Sequence, residues 1–524
     1  MTSISIARTD VEANPAKSTA ENGRILDLRT ALLLAFVVVV LIVPRSIIDY
    51  GESGDAWDNA GDAIKLGTEG LIPAIPHMIR WPPGVPLFIY ALAPVAPMAG
   101  HVGTNLLVAA FYIAAVALFA VAVRDEQHGR LLTVLFALTP IVIKNAAVTQ
   151  DFVCGLVPVL AAYIALQRGR YALAGLLIGV AAGFRITNIL FVIPASAYMV
   201  LTPIMRDRWA RIAGLSALAA AVALCCYSPF ILTSGLGWRY FMPLPGHGNK
   251  QPILVHVRLA VYNWVYVLGP AACVTLLSAG LMEGSRIVKA ARLMAVNRAP
   301  IVAFGGLAIG LHGMLTWTFT MKAEYVLPAL PFLYILLAGC LSRKAMVWFA
   351  IAASSYAVLS VETKGGSSGK RTLTVRPAWG LVVDDYVRRT EIAALRQGVG
   401  QLRSLGKAVV LTGMAGVLTA DNPAVETSDI KSVSAGALPE WGVSEHRAVG
   451  STVHRIRSSG VFLVDSLPKA GVDLVRRDGY KVYMFSEYAP TAAVNGQGYD
   501  PYTLDIQILP ILSARAFYHG HSLD

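Results

Sequence analysis

The sequence predicts an α-helical, polytopic membrane protein with about 11 transmembrane helices and a C-terminal α/β domain. Two observations carry this prediction. The 524 residues are 55% hydrophobic and only 15% charged, with a mean hydropathy of +0.58, which is too apolar for a soluble globule. Apolar runs of about 16–24 residues recur between Ala31 and Ser360, and a bilayer core requires about 20 residues per helix.

The spans are predicted in order from these runs. They cover residues 26–48, 103–123, 131–147, 152–167, 171–184, 186–201, 212–232, 256–281, 301–320, 325–341 and 345–360. Residues 85–100 are left out because Pro86, Pro94 and Pro97 each remove a backbone donor, and lipid offers no water to replace the lost bonds. We predict that this segment is a helix lying on the membrane surface.

Basic loops predict the orientation. Residues 124–130, 168–170, 206–211, 283–298 and 343–344 fall on one side together with the polar N-terminal tail, residues 1–25. That side holds about 17 Lys and Arg, against about 7 in the opposite loops, so it is predicted to be cytoplasmic. The first outer loop, residues 49–102, and the C-terminal domain are then extracytoplasmic, and the expected location is the inner (cytoplasmic) membrane.

Charge and cysteine content exclude other classes. The net charge of +12 reflects basic loops between spans, so no nucleic-acid partner is predicted. The five cysteines all lie in apolar stretches, which excludes a disulfide framework. No group of His, Cys and carboxylates has transition-metal spacing. No cofactor is predicted, although a requirement for a divalent metal stays open.

The composition changes after Ser360. Residues 361–371 are rich in Gly, Ser and Lys and are predicted to form a linker. Residues 372–524 are predicted to form the α/β domain, with a helix over 384–405 and strands at 407–413, 460–465 and 480–485. The domain contains no phosphate-binding glycine pattern.

Acidic candidates lie in two of the predicted outer segments. Asp55, Asp58 and Asp62 are spaced i, i+3 and i+7, so a helix would present them on one face. That face is either solvated or contributes a general base with companion carboxylates. Asp151 opens an apolar helix, where it is either a capping residue that suits the helix dipole or part of a site.

Basic candidates lie at two further helix ends. Arg185 stands between two short apolar segments, where an unpaired cation is costly. It either extends to the interface or pairs with an anion, which is a loop carboxylate or a phosphate. Lys322 and Glu324 stand at another predicted outer helix mouth, as a local ion pair or as substrate contacts.

Together these segments match a family pattern. Arg80-Trp81-Pro82-Pro83-Gly84-Val85-Pro86 forms a rigid corner, a glycine-rich helix at 175–187 carries Arg185, and residues 324–331 carry Glu324, Tyr325 and two prolines. With Asp55 before the corner and Asp151 after it, the chain resembles the GT-C superfamily of integral membrane glycosyltransferases. The resembling branch includes protein O-mannosyltransferases and the aminoarabinose and galacturonic acid transferases of lipid A.

The resemblance covers about residues 24–342 and implies a reaction. A sugar would pass from a polyprenyl-phosphate donor to an acceptor hydroxyl of an envelope glycan, lipid or protein at the outer face, with inversion. Asp55 would be the base, but Asp58-Asn59 stands where the family usually has an aromatic residue, so Asp58 stays open. Arg185 with Arg80 would hold the departing phosphate. Asp151, Lys322 and Glu324 would contact substrate, although the family usually has Arg at the Glu324 position.

Two other functional classes remain. A transporter or flippase for lipid-linked glycans would place polar residues near mid-span, where this chain has few. A non-catalytic assembly subunit that displays the C-terminal domain would make Asp55, Asp58 and Arg185 individually dispensable.

The orientation predicts a pattern of chemical labelling. In a background without native cysteines, an impermeant thiol reagent added outside should label a cysteine placed at Gly100 or Gly366. It should not label one placed at Gln127, because that loop is predicted to be cytoplasmic. Labelling at Gln127 from outside in intact cells would reverse the orientation.

Overall fold

The computed structural model describes residues 28–48, 54–78, 84–126, 128–203, 207–234, 241, 253–318, 323–365, 371–377 and 380–383, with short strands at 408–411, 430–433, 461–464, 481–485 and 506–509. Helices occupy the chain as far as Ser355, and strands follow, apart from a short helical turn at 381–383.

The first helix, α1, is α-helical over Leu28–Phe36, π-helical over Val37–Ile42 and α-helical again over Val43–Ile47. It is followed by α2 (Gly54–Glu69), α3 (Leu71–Met78), α4 (Pro86–Leu92), α5 (Ala96–Ala122), α6 (Gly129–Ala137), α7 (Pro140–Asn145), α8 (Asp151–Gln167) and α9 (Tyr171–Phe184). A 3₁₀ segment, Ile186–Phe191, leads into α10 (Val192–Leu201). Then come α11 (Arg208–Ser234), α12 (Ile253–Leu268), α13 (Pro270–Asn297), α14 (Ala299–Thr318), a 3₁₀ segment over Ala323–Ala329, α15 (Leu330–Cys340) and α16 (Arg343–Ser355).

Several helices have the length and composition of membrane spans. Six segments of the described chain qualify: Thr30–Ile47, Ala96–Ala122, Arg208–Thr233, Pro270–Asn297, Ala299–Thr316 and Ala323–Cys340. Shorter apolar helices cover Asp151–Gln167, Tyr171–Phe184 and Ile186–Leu201. The predicted helical membrane class is thus confirmed, whereas the count of about 11 spans stays a prediction.

Two predicted spans are interrupted. The run at 131–147 breaks between α6 and α7, where Pro140 takes the first turn of the new helix. Proline is suited to that position because its missing N–H has no partner there in any helix. The run at 256–281 breaks at Gly269, which has a φ of 87° and is followed by Pro270. The predicted loop at 283–298 was wrong, because α13 continues through it with one non-helical residue, Glu283.

The proline-containing segment at 85–100 forms no span of its own. Helix α4 has seven residues, about 10 Å of length, against a hydrocarbon core of about 30 Å. Phe88, Ile89 and Leu92 are buried, so α4 packs on the bundle, and its place on the membrane surface stays a prediction. Helix α5 then begins at Ala96 and is kinked at Gly100, whose φ is 53°.

A row of glycines brings α9 against α11. A Cβ atom on Gly175 would lie 2.6 Å from the Leu215 carbonyl oxygen, and one on Gly179 would lie 2.7 Å from that of Ala219. Small residues four apart allow backbones to approach in a membrane bundle. This contact fixes the end of α9, where Arg185 lies.

Helix α2 confirms the predicted helix through Asp55, Asp58 and Asp62. Its other side carries Ala56, Ala60 and Ala63, which are all fully buried. One turn later, a Cβ on Gly67 would lie 2.5 Å from the Ala93 carbonyl oxygen. The small residues therefore seat α2 closely against the segment that joins α4 and α5.

The strands after the bundle fall in two sheets. Strands β1 (Leu359–Gly365) and β2 (Arg371–Pro377) pair antiparallel, so the predicted linker at 361–371 contains strand residues. The second sheet has the order β4-β3-β6-β5-β7 and consists of β3 (Ala408–Leu411), β4 (Ile430–Val433), β5 (Val461–Val464), β6 (Lys481–Phe485) and β7 (Ile506–Leu509). Strands β3, β5 and β6 coincide with the predicted ones. The predicted helix at 384–405 lies outside the described residues, and the α/β domain stays a prediction.

Close packing of α9 on α11 predicts a strong effect of one added side chain. Gly175→Val places atoms against the Leu215 backbone, which cannot move aside as a side chain can. The free energy of unfolding in detergent should fall by about 1–3 kcal/mol. Gly310→Val in α14 is the control, because a Cβ there meets nothing within 4 Å. Equal stability of the two variants would contradict the packing.

Candidate functional site

A bidentate ion pair joins the start of α8 to the end of α9. Asp151 is the first residue of α8, and Arg185 follows α9 in an extended conformation, with φ −155° and ψ 120°. The guanidinium Nη2 donates to Oδ1 at 2.6 Å, and Nε donates to Oδ2. The Asp151 side chain is only 3% exposed, and the Arg185 side chain is 14% exposed. The pairing satisfies both carboxylate oxygens in a nearly dry setting, which makes it strong and directional.

Two aromatic rings enclose the same guanidinium. Its Cζ lies 3.8 Å from the centroid of the Phe152 ring and 5.0 Å from that of Tyr325. The two rings meet edge to face, with centroids 5.9 Å apart and an interplanar angle of 88°. Cation–π contacts of this kind are attractive within about 6 Å. Because Tyr325 belongs to the 3₁₀ segment before α15, the late motif contributes to the same site.

The backbone around Arg185 is held by Asn188. The Arg185 carbonyl accepts from the Asn188 amide at 2.9 Å, and the Asn188 side chain donates to the Ala181 carbonyl at 3.0 Å. Asn188 is buried against α8 at Gly155, where a Cβ would lie 2.6 Å from Asn188 Nδ2. Gly155 therefore leaves the space that lets this turn approach α8 and brings Arg185 to Asp151.

A hydrogen bond ties the helix of aspartates to the same place. Asn59 of α2 donates from Nδ2 to the carbonyl of Thr149 at 3.2 Å. Thr149 is two residues before Asp151, and its hydroxyl donates to Asn105 Oδ1 at 2.8 Å. The hydroxyl of Thr104 lies 2.7 Å from the Thr149 hydroxyl. The turn that opens α8 is thus fixed to α2 and α5 through buried polar groups.

The positions of Asp55, Asp58 and Asp62 share one side of α2, adjacent to Asn59. Ala56, Ala60 and Ala63 occupy the opposite, buried side. Asp62 is half-buried, while the side chains of Asp55 and Asp58 lie outside the described part of the chain. The backbone therefore places the acidic side of α2 beside the bond to Thr149.

Further buried basic residues at this end were not predicted from the sequence. Arg45 of α1 is 2% exposed and donates from Nη1 and Nη2 to the carbonyls of Ile143 and Lys144, both at 3.1 Å. These carbonyls end α7, where a cation is favoured by the helix dipole. Lys144 itself donates to the Tyr266 hydroxyl at 2.8 Å. In the sequence, Arg45 and Lys144 each lie inside an apolar run, and that position could have indicated a buried basic residue.

The other predicted candidates divide into three groups. Asp151 and Arg185 are in direct contact, so of the alternatives for Arg185 the loop carboxylate is the one observed. Glu324 is half-buried beside Tyr325. Arg80 and Lys322 lie outside the described residues, so their roles stay predictions. Within the described ranges, no three His, Cys, Asp or Glu side chains lie close enough together to hold a metal ion.

The fold and this cluster define a helical membrane protein whose polar groups gather where several helices begin or end. No family model and no curated protein sequence matches the chain. Two solved structures of ArnT from Cupriavidus metallidurans are similar to it at 14% identity, each match covering 75% of this chain and 84% of that one. The TM-scores are 0.47 for the apo state and 0.49 for the structure bound to undecaprenyl phosphate. A likeness at this level decides neither family nor chemistry.

The buried ion pair predicts a coupled loss of stability. Asp151→Ala or Arg185→Ala alone should cost about 3–5 kcal/mol of unfolding free energy, because each leaves an uncompensated buried charge. Arg185→Lys should also be poorly tolerated, since a point charge cannot replace the planar fork. The double variant should cost less than the sum of the single ones.

The measurement is a double-mutant cycle on purified protein. The more exposed pair Lys65–Glu69, with side chains 27% and 50% exposed and a separation of 3.8 Å, is the control. Its coupling should be about 0–1 kcal/mol. Strict additivity at Asp151 and Arg185 would show that the two side chains do not pair in solution.

Proposed function

We propose that this chain is a membrane glycosyltransferase that moves a sugar from a polyprenyl-phosphate donor to an acceptor hydroxyl. One observation supports this most directly. The bond from Asn59 to the Thr149 carbonyl brings the helix of three aspartates next to the Asp151–Arg185 pair. Group transfer from a phosphate requires a carboxylate for the acceptor proton and a cation for the leaving phosphate. The first-loop helix and the second-loop pair together offer both.

In the proposed reaction, the carboxylate of Asp55 accepts the proton as the acceptor oxygen bonds to the anomeric carbon. The bond between that carbon and the phosphate oxygen breaks, and its electron pair leaves with the lipid phosphate. A single displacement of this kind inverts the anomeric configuration. Asp58 is the alternative base, one helical turn from Asp55.

Arg185, with Arg80, is proposed to stabilise the charge on the departing phosphate. The Asp151 carboxylate and the Phe152 ring keep the guanidinium plane in one orientation before any substrate arrives. A preorganised charge needs no reorganisation during the reaction, which is why such groups are effective in catalysis. Lys322 and Glu324 are proposed to contact substrate beside Tyr325.

Action at the outer face of the inner membrane is part of the proposal. Asp151 and Gln167 are the two ends of α8, and the basic residues 168–170 follow Gln167. The ion pair and this predicted cytoplasmic loop are therefore separated by about 25 Å along one helix. This supports an extracytoplasmic site. The acceptor is an envelope glycan, lipid or protein, and the C-terminal domain would lie on the same side.

Replacement of the proposed base tests the function. Asp55→Asn keeps the shape of the side chain but removes its ability to accept a proton. Transfer should fall by about 10²–10⁴-fold, with normal membrane insertion. Asp58→Asn should cost much less if it only shapes the loop. Asp125→Asn is the matched control, because this exposed residue lies at the other end of the bundle.

Mass spectrometry of envelope lipids and glycans from cells with and without the chain identifies the product. The variants are then compared for product formation at equal protein levels. Loss in Asp58→Asn with near-normal transfer in Asp55→Asn would reassign the base. Near-normal product in both variants would remove catalysis from α2 and favour a flippase or assembly role.

A further inference from the structure

The end of the bundle away from Asp151 is strongly basic and held together by side-chain bonds. Gln167 at the end of α8 donates to the Ala122 carbonyl at 3.5 Å, which aligns the ends of α8 and α5. Arg298 donates to Glu126 just beyond α5. We call this the distal end. It contains the starts of α6, α9, α11 and α16, and none of the groups assigned to sugar transfer.

A groove opens at the distal end between α9 and α11. Its volume is about 470 Å³, and its lining includes Arg170, Tyr171, Leu173, Arg211, Gly214 and Leu215. The two helices touch just beyond it, because Gly175 lies directly against the Leu215 backbone. The groove is therefore the space left where two tightly packed helices separate.

Two arginines provide the charge of the groove. Both are exposed, and neither forms a salt bridge within the part of the chain that is described. Arg211 lies over the Tyr171 ring, with Cζ 5.7 Å from the centroid. Asp207 lies one turn before Arg211. Its backbone carbonyl, rather than its carboxylate, accepts from the Arg211 backbone amide at 3.0 Å. Two guanidinium groups that line one groove favour an oxyanion, such as a phosphate, that accepts hydrogen bonds from both of them.

The other walls of the groove are apolar and continue along the helices. Ala172 and Leu173 line the groove, and Leu173 is 41% exposed. A free phosphate or a nucleic acid has no group to place on such surfaces, whereas a phospholipid places acyl chains there. Basic pockets between transmembrane helices on the cytoplasmic side bind anionic headgroups in this way.

We propose that the groove between α9 and α11 is a binding site for an anionic phospholipid. Arg170 and Arg211 contact the headgroup phosphate, and Ala172 and Leu173 contact the acyl chains. A second groove at the distal end, of about 380 Å³, repeats this composition with Arg130, Arg343, Leu131 and Val347 in its lining. The lipid stabilises the distal end and takes no part in sugar transfer, so the site stands whether or not the proposed function is correct.

Purified full-length protein tests the site with defined lipids. Phosphatidylglycerol should bind, by native mass spectrometry, and should raise the thermal unfolding midpoint more than phosphatidylcholine does. The Arg170→Gln/Arg211→Gln variant should bind phosphatidylglycerol about 30-fold more weakly, since each basic contact near the surface contributes about fivefold. Arg286→Gln/Arg292→Gln removes two charges from the exposed side of α13 and should bind as the wild type does.

A steric variant separates a lost site from a damaged fold. A Cβ on Gly214 meets nothing within 4 Å, so Gly214→Phe fills the groove without a backbone clash and should also weaken lipid binding. Gly280→Phe, at a similarly open position of α13, should not. Equal binding of the two lipids, or unchanged binding after the arginine replacements, would overturn the proposal. So would equal stabilisation by inorganic phosphate, which would make this a phosphate site without a lipid.

Discussion

A carboxylate and a guanidinium can share the interior of this bundle only because each cancels the charge of the other. Removing either from water costs several kcal/mol, and the loss is recovered only with good geometry. Here Asp151 accepts two parallel bonds, and the rings of Phe152 and Tyr325 cover the guanidinium. Three separate stretches of chain must therefore arrive at one point, and Gly155 of α8 leaves the space that one of these approaches needs.

Elsewhere at the same end, neutral groups do the joining. Asn59, Thr149, Asn105 and Thr104 form a buried chain of hydrogen bonds, and Asn105 also reaches the Ser46 carbonyl at 3.4 Å. Such bonds link α1, α2 and α5 without the cost of burying a charge. The ion pair and this neutral network meet at the turn before α8. Displacing that turn would therefore disturb the proposed base and the proposed phosphate contact together.

Sequence patterns predicted those features that depend on neighbouring residues. A continuous apolar run predicted α9 with the bounds that it has, and the spacing of Asp55, Asp58 and Asp62 predicted a helix. The pairing of Asp151 with Arg185 stayed one of several alternatives, because the partner is 34 residues away. The breaks at Pro140 and Gly269 were missed, since average hydropathy does not register where a helix restarts. Arg45 was missed because its partners are backbone carbonyls.

The 3₁₀ segment Ala323–Ala329 determines how far the Tyr325 ring lies from the start of α15. A 3₁₀ helix rises about 2.0 Å per residue and an α-helix about 1.5 Å, so the five residues from Tyr325 to α15 reach about 2.5 Å further than they would in an α-helix. Pro328 lacks the N–H that the next α-helical rung would need. The position of the Tyr325 ring therefore depends on the 3₁₀ winding of the backbone. A substitution of Pro328 that let the segment become α-helical would bring the ring closer to the start of α15.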